Sequence, residues 1–439
     1  MTAVRDSGST FEGVTATSSD TKRSDVERCR FCDALLGLTV VDLGMSPLCE
    51  RFLRPDQLDE VEPFFPLHVR ACGECGLVQL PEFLPPDEIF TPDYPYHSAY
   101  SSSWVAHAKQ FVDEMVPRLG LDGTSSVVEV ASNDGYLLQH FLPYGIPVLG
   151  VDPASAAAEA AVARGVPTIT RFFGDELAHE IVEERGRADL VVANNVLAHV
   201  PDVNDFVAGV ATLLAPSGTA TFEFHDLLWL FASVQYDTIY HEHFSYLSLG
   251  MVEKVLAAAG LEVTDVRELT THGGSLRVEA RHAPAVPAPA VGALLRRERL
   301  LRLDDPETYA RFAAAVERSR ETLLDVLDSA RVDGKTVAAY GAPGKGNTLL
   351  NYCGIGTHQV EYAVDRNPHK HGLFTPGTHL PIYPPSKLYE TRPDLIFVLP
   401  WNLIGEISPQ LRDTTSWGAK LVIPIPEATV FEPGGLPSD

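Results

Sequence analysis

From residue 101 onward, hydrophobic positions recur every three or four residues in some segments and fill short unbroken runs in others, and the two patterns alternate. The spacing of Trp104, Ala108, Phe111, Val112 and Met115 predicts a helix over 101–119, and the run Val127, Val128 and Val130 predicts a strand. That strand ends in Ala131-Ser132-Asn133-Asp134-Gly135-Tyr136, after which the apolar pattern predicts a helix; a second strand over 147–151 ends at Asp152. Helices over 154–164, 175–185 and 203–214 then alternate with strands over 168–169, 189–193 and 219–224, with Pro216-Ser217-Gly218 as a turn. A helix over 252–259 and strands near 262–267 and 274–280 close the unit. Such alternation builds a parallel sheet covered by helices.

The Pro/Ala segment 283–290 is too poor in backbone donors for a strand and too proline-rich for a helix, so a boundary is expected there. Beyond it the motif repeats. A helix over 307–330 and a strand over 336–340 lead to the turn Gly341-Ala342-Pro343-Gly344-Lys345-Gly346 and a helix; strands over 359–364, ending at Asp365, and 394–399 follow. The expected fold class is α/β: a disordered Ser/Thr/Asp-rich tail (1–26), a small cysteine-bearing module (27–92), a Rossmann-like domain (93–282) and a second Rossmann-like domain (283–439).

At 439 residues and 45% hydrophobic content, the chain can bury several cores. Its net charge of −25 repels polyphosphate backbones, which favours small-molecule chemistry over the rival of a zinc-ribbon protein that recruits nucleic acid. No apolar run approaches the ~20 residues that span a bilayer, and the tail lacks the apolar core of a signal peptide. A soluble, cytoplasmic monomer is expected. Four of the six cysteines form the pairs Cys29-x-x-Cys32 and Cys72-x-x-Cys75, the spacing of a tetrahedral structural zinc site. Cys49 and Cys353 stand alone and suit a core.

The turn after the first central strand carries one glycine rather than the three of a dinucleotide site, so it suits a cofactor without a pyrophosphate. S-adenosylmethionine is such a cofactor: its amino acid part would lie on this turn, Asp152 would accept from the ribose hydroxyls, and Phe172 or Phe173 would cover the adenine. A purely structural α/β turn is the plainer alternative. Past the core, the run 237–246 holds His241, Glu242 and His243, and a second cluster, Asn194, Asn195 and His199, follows the fourth strand. Methyl transfer to carbon needs a base and an oxyanion stabiliser, and an imidazole with a pKa near ~6.5 suits proton abstraction at neutral pH. Taken singly, each histidine is more often structural; metal binding by His241, Glu242 and His243 is a further alternative, with no third ligand evident.

These motifs carry a resemblance. The two cysteine pairs, Leu43-Gly44-x-x-Pro47-Leu48, Tyr100-Ser101-Ser102-Ser103-Trp104, Glu129-x-Ala131-Ser132-Asn133-Asp134-Gly135-Tyr136-Leu137, Thr238-Ile239-Tyr240-His241-Glu242-His243-Phe244-Ser245-Tyr246 and Tyr340-Gly341-Ala342-x-x-Lys345-Gly346-Asn347 resemble the sugar C-methyltransferases of antibiotic deoxysugar pathways, across nearly the whole chain from Cys29. The resemblance implies a zinc-binding module, a middle S-adenosylmethionine domain and a C-terminal domain that helps anchor a TDP-linked 4-keto-deoxyhexose. It implies His243 as the base at C-3, with Tyr94, Asn195, His199 and Glu242 lining the sugar pocket, Tyr94 or His199 steadying the enolate oxygen, and inversion at C-3. His241 is a further candidate for catalysis. The cofactor set is Tyr100, Ser102, Glu129, Ala131, Ser132, Asn133, Gly135, Tyr136, Asp152, Phe173 and Asn194; Tyr240, Lys345, Asn347 and Arg366 are candidates for the nucleotide sugar. One departure stands out: Cys49-Glu50-Arg51-Phe52 follows Leu48 where many relatives carry Ala-Asn. A 4-ketoreductase using NADPH in the second Rossmann-like domain, alone or beside methylation, is the alternative activity.

Overall fold

The computed structural model describes residues 27–89 and 98–436. The expected tail 1–26, Tyr94 and the side chain of Tyr100 lie outside the described part.

The N-terminal module is an antiparallel sheet of β1 (Leu38–Ser46), β2 (Phe65–Ala71) and β3 (Val78–Gln79), followed by the one-turn helix α1 (Pro86–Ile89). The central domain opens with α2 (Ser102–Leu119), where the Ser101 hydroxyl accepts from the Trp104 N–H and Gly120 closes the helix in the left-handed region. The next elements are β4 (Val127–Val130), β5 (Val148–Val151), α3 (Ser155–Ala163), β6 (Thr168–Ile169), α4 (Asp175–Arg185), β7 (Ala188–Asn194), α5 (Val203–Leu213), β8 (Leu214–His225) and α6 (Leu227–Ala232). After β9 (Ser245–Tyr246) come α7 (Leu249–Ala258), β10 (Leu261–Leu269) and β11 (Ser275–His282). The sheet order is β6-β5-β4-β7-β8-β11-β10, parallel except for β11, which runs against both neighbours. The order reverses at β4, so the crevice above the carboxyl ends of β4, β5 and β7 is where a ligand belongs.

Three expectations change. No α-helix follows β4: two 3-10 turns, Leu138–His140 and Leu142–Tyr144, occupy its place, because Pro143 lacks an N–H and Gly145 turns left-handed. Leu137, Leu138 and Phe141 are buried all the same. Pro216-Ser217-Gly218 is not a turn but part of β8, which leaves α5 directly. The strand expected over 359–364 shrinks to Ala363–Val364, since the N–H groups of Gln359 and Val360 turn back to the Gly356 carbonyl.

The C-terminal part contains α8 (Pro289–Leu301), α9 (Pro306–Val332), β12 (Val337–Tyr340), α10 (Gly344–Cys353), β13 (Ala363–Val364), β14 (Ile382–Tyr383), β15 (Leu395–Val398), β16 (Lys420–Ile423) and β17 (Thr429–Phe431). Its sheet order is β14-β13-β12-β15-β16-β17, parallel except for β17. Packing does not divide where the proline segment does. Val291 and Leu294 of α8 join the core of the central domain, whereas Tyr309, Phe312, Leu323 and Leu327 of α9 share one core with Val40 and Val41 of β1 and Val337 of β12.

β9 leaves the central domain and pairs with β3, Val78 opposite Tyr246 and Gln79 opposite Ser245, while the Leu80 N–H donates to the Phe244 carbonyl (3.0 Å). The sheet of the cysteine module thus ends on the residues next to His243.

Candidate active site

The four paired cysteines converge. Their sulfurs lie within 4.8 Å of one another, with Cys29 Sγ 3.6 Å from Cys75 Sγ and Cys32 Sγ 3.5 Å from Cys72 Sγ. A tetrahedron with bonds of about 2.3 Å has edges near ~3.8 Å, so the cage fits zinc without rearrangement. The Gln79 amide donates to Cys29 Sγ (3.2 Å) and its carbonyl accepts from the Arg30 N–H (3.0 Å), the kind of outer hydrogen bonding that holds thiolate ligands in place.

A cleft of about 760 Å³ opens where all three parts meet, lined by Glu50 of the cysteine module, the carboxyl ends of β4, β5, β7 and β8, and Lys345 and Asn402 of the C-terminal domain. At its β4 end, Ala131 and Asn133 sit at φ 58° and 48°, a conformation unusual for side chains other than glycine. The Asn133 N–H donates to Asp152 Oδ2 (2.8 Å) and the Ala154 N–H to Oδ1 (2.9 Å), locking the acid at the end of β5 onto the turn. Gly135 is required: at φ 75°, a Cβ would come within 3.2 Å of Ala161 and Val166. Tyr136, Phe172 and Phe173 line the same end. Asn194 Oδ1 and Asn195 Nδ2, both buried, have no hydrogen-bond partner among the described residues, and both residues line the cleft. Orphaned amide atoms beside a locked ribose-type acid fit the amino acid and sugar groups of S-adenosylmethionine. Glu129 and Ser132 lie beneath this surface. The Glu129 carboxyl is fully buried with no hydrogen-bond partner among the described residues, and burial, then Asp152 and Asp134, push its pKa well up. Ser132 packs under Gly150, where a Cβ would fall 2.4 Å from its hydroxyl. Ser102 is exposed at the start of α2 and does not line the cleft.

His243 stands in the middle of the cleft wall. Its Nδ1 lies 2.7 Å from the Thr238 carbonyl. A carbonyl only accepts, so Nδ1 carries the proton and Nε2 the lone pair of a base. The ring stacks at a tilt on Tyr240 (4.0 Å) and meets His199 edge to face (4.7 Å). Burial, with His199 next in effect, holds its pKa well below the usual histidine value, and burial takes His199 to about 4. Both are neutral at pH 7. Glu242 also lines the cleft, near the Cys49 thiol. His241 does not: its Nε2 faces the Phe65 carbonyl (3.2 Å) and its ring meets Phe65 edge-on. The turn closed by the His243 N–H on the Tyr240 carbonyl (2.9 Å) breaks the alternation that would put both rings on one side, and sends His243 to the cleft and His241 to β2.

From the other side, Lys345 Nζ pairs with buried Asp237 Oδ2 (3.3 Å), bonds Asn402 Oδ1 (3.2 Å) and lies 4.6 Å from the Trp401 ring centre. The Trp401 indole N–H also donates to Asp237 Oδ2 (2.6 Å). A cation is thereby held over the cleft. Of the other three residues read from the sequence for the nucleotide sugar, Tyr240 lines the cleft, but two are not brought there: Asn347 donates to the Cys49 carbonyl (2.6 Å), and Arg366 is exposed beyond β13. The glycine-rich turn itself is filled by the chain's own groups. Glu50 Oε1 accepts from the Gly344 N–H (2.9 Å) at the start of α10, and a Cβ on Gly341 or Gly346 would strike Pro400 or Leu399.

Sequence reasoning missed His225 and His272, which complete the cleft wall, and Asp237 and Trp401, which hold Lys345. His225 was within reach of the rule applied to Asn194, since it ends β8 at the same carboxyl edge. Asp237 and Trp401 meet only through the tertiary fold.

Comparison with known proteins agrees with this arrangement. Residues 29–90 match a family described as "Putative zinc binding domain", 104–266 a "Methyltransferase domain" and 270–426 a "C-methyltransferase C-terminal domain". A ubiquinone biosynthesis O-methyltransferase of Cupriavidus pinatubonensis is 26% identical over 34% of this chain and 65% of its own length. A magnesium protoporphyrin IX methyltransferase from Synechocystis PCC 6803, solved with S-adenosylmethionine, is 19% identical and covers 41% of this chain and 81% of its own, with a TM-score of 0.31. The C-methyltransferase NovU of Streptomyces niveus is 38% identical over 92% of this chain and 97% of its own length. With that match along almost the entire length, and with all three parts recognised, the chain belongs to the C-methyltransferase family, an S-adenosylmethionine-dependent enzyme with a four-cysteine zinc site.

Proposed function

We propose that the protein methylates C-3 of a TDP-linked 4-keto-deoxysugar. The sugar and the position rest on the motifs centred on His243; the observation that carries the chemistry is the 2.7 Å bond from His243 Nδ1–H to the Thr238 carbonyl, which leaves Nε2 bare in the cleft shared with Asn133 and Asp152. When bound, S-adenosylmethionine would supply an electrophilic methyl group, its methyl–sulfur bond breaking as the carbon–carbon bond forms and S-adenosylhomocysteine leaving with the electron pair.

Nε2 removes the proton on the carbon beside the ketone; the electron pair moves onto the carbonyl oxygen and returns to form the new carbon–carbon bond. His243 then releases the proton to solvent, and the ketone is restored. The neutral His199 ring, 4.7 Å away, can hydrogen-bond the enolate oxygen without protonating it, because burial keeps its own pKa near 4. Lys345 adds positive potential along the wall. The methyl enters on the face opposite to the departing proton, giving inversion. Tyr240 and Glu242 line the sugar end, and Lys345 is the group placed for the diphosphate. The Glu50 carboxylate on the start of α10 disfavours a dinucleotide there and, with it, the ketoreductase reading.

The test is incubation of the enzyme with S-adenosylmethionine and TDP-4-keto-6-deoxyhexoses in deuterated water, beside His243→Asn. Wild type should add a methyl at C-3; the variant should bind the cofactor normally yet lose at least about 100-fold in turnover. Near-normal turnover in the variant would sink the assignment of the base, and a methyl found elsewhere on the sugar would sink the position.

A further inference from the structure

His225 ends β8 on the same carboxyl edge as the cofactor residues, and it lines the cleft. Its Nε2 lies 2.5 Å from Gln235 Oε1, and the Gln235 amide nitrogen donates to the Gly273 carbonyl (2.7 Å). Each link settles the next. A carbonyl only accepts, so the Gln235 nitrogen must face Gly273; Oε1 therefore faces His225, and His225 must carry its proton on Nε2. Nδ1 is left with a lone pair and has no hydrogen bond to any described residue. Gly273 makes the arrangement possible: at φ 91°, a Cβ there would come 3.1–3.2 Å from the Gln235 amide and displace it. The glutamine is 1% exposed and does not line the cleft, so holding this ring is the use the structure gives it.

We propose that His225 reads the acceptor sugar: its Nδ1 accepts a hydrogen bond from a hydroxyl of the substrate, and Gln235, seated on Gly273, holds the ring in the one tautomer that can do so. The inference rests on the nucleotide-sugar reading of the cleft and adds to it that the acceptor carries a free hydroxyl at this point. A hydroxyl suits the position better than an ammonium. Burial, with the Lys345 charge next in effect, takes the ring's pKa down to about 3, so the ring is a neutral acceptor in a positive surrounding. A site built to bond a hydroxyl discriminates strongly against the analogue that lacks it, because its buried acceptor is then left unpaired.

The experiment measures kcat/KM for wild type, His225→Phe and Gln235→Leu with TDP-4-keto-6-deoxyhexoses that lack one ring hydroxyl at a time. His225→Phe should lose at least about tenfold on the hydroxylated sugar and no more than about twofold on one particular deoxy analogue, mostly in KM, with S-adenosylmethionine affinity unchanged. Gln235→Leu keeps the imidazole but frees its tautomer, and should narrow the same discrimination. Nitrogen-15 spectra of the wild-type ring should show Nε2 protonated and Nδ1 bare. A uniform loss across the analogues, or a ring protonated on Nδ1, would overturn the role of His225 alone; wild-type enzyme that methylates none of these sugars would overturn the substrate reading and this inference with it.

Discussion

His241 offers the most exact test of how this structure uses its histidines. The ring is 4% exposed, lies against Phe65, and has its pKa pulled down to about 4 by burial, against about 6.5 in an unfolded chain. A depressed imidazole stays neutral in the fold while the unfolded chain takes up a proton below pH 6.5, so stability falls as pH drops through that value and continues to fall toward 4. Between pH 7.5 and 5.5, proton uptake by the unfolded state alone amounts to RT ln(11/1.1), about 1.4 kcal/mol for this one group. Asp226 works in the opposite sense, since burial raises it to about 7, and the other buried acids and histidines add their own slopes; comparison with His241→Gln cancels them all. The glutamine changes stability by an amount that does not depend on pH. Urea unfolding at both values should therefore show wild type losing about 1.4 kcal/mol more than the variant on acidification, or a few degrees in melting temperature for a domain of this size. Equal losses would refute the argument that His241 is buried neutral. Because the ring faces β2 and not the cleft, the same variant should keep turnover within about threefold, which a catalytic His241 would not allow.

Three further outcomes follow from the geometry. Since the pKa of His243 is held well below the usual value, kcat/KM should stay on its plateau below pH 6, and an acid limb at pH 6.5 or above would contradict the buried neutral base. Cys72→Ser should lose the metal, melt at lower temperature and lose turnover, while calorimetry finds S-adenosylmethionine affinity nearly unchanged, because β3 pairs with β9 beside His243 and not with the cofactor turn. Asp237→Asn strands the Lys345 ammonium in a largely buried place, so stability should drop by about 3 kcal/mol and KM for the nucleotide sugar should rise; denaturant midpoints and steady-state kinetics measure the two effects.

Much of this protein was legible along the chain because its signals are local. Cys29, Cys32, Cys72 and Cys75 announce a metal cage by spacing alone, and the run Val127–Val130 followed by Ala131 to Tyr136, then Asp152 after the next strand, announces the end of the sheet where the cleft opens, since a strand's carboxyl edge and the turn beyond it are contiguous in sequence. Local signals misled where two breakers outweighed an apolar period: Pro143 and Gly145 stop the helix that Leu137, Leu138 and Phe141 suggest. What the chain could not express by itself is which of its many polar groups share one cavity. His241 and His243 differ by two positions and look alike in sequence; packing turns one to the Phe65 carbonyl and the other to the cleft. Lys345 reads as a phosphate ligand on a glycine-rich turn, but its place over the cleft is fixed by Asp237 and Trp401, and that turn is filled by Glu50 from the opposite end of the chain. Spacing and periodicity specify elements because they act over one or two turns of backbone. The cleft is set by contacts between residues hundreds of positions apart, and only the burial of three cores against one another brings those together.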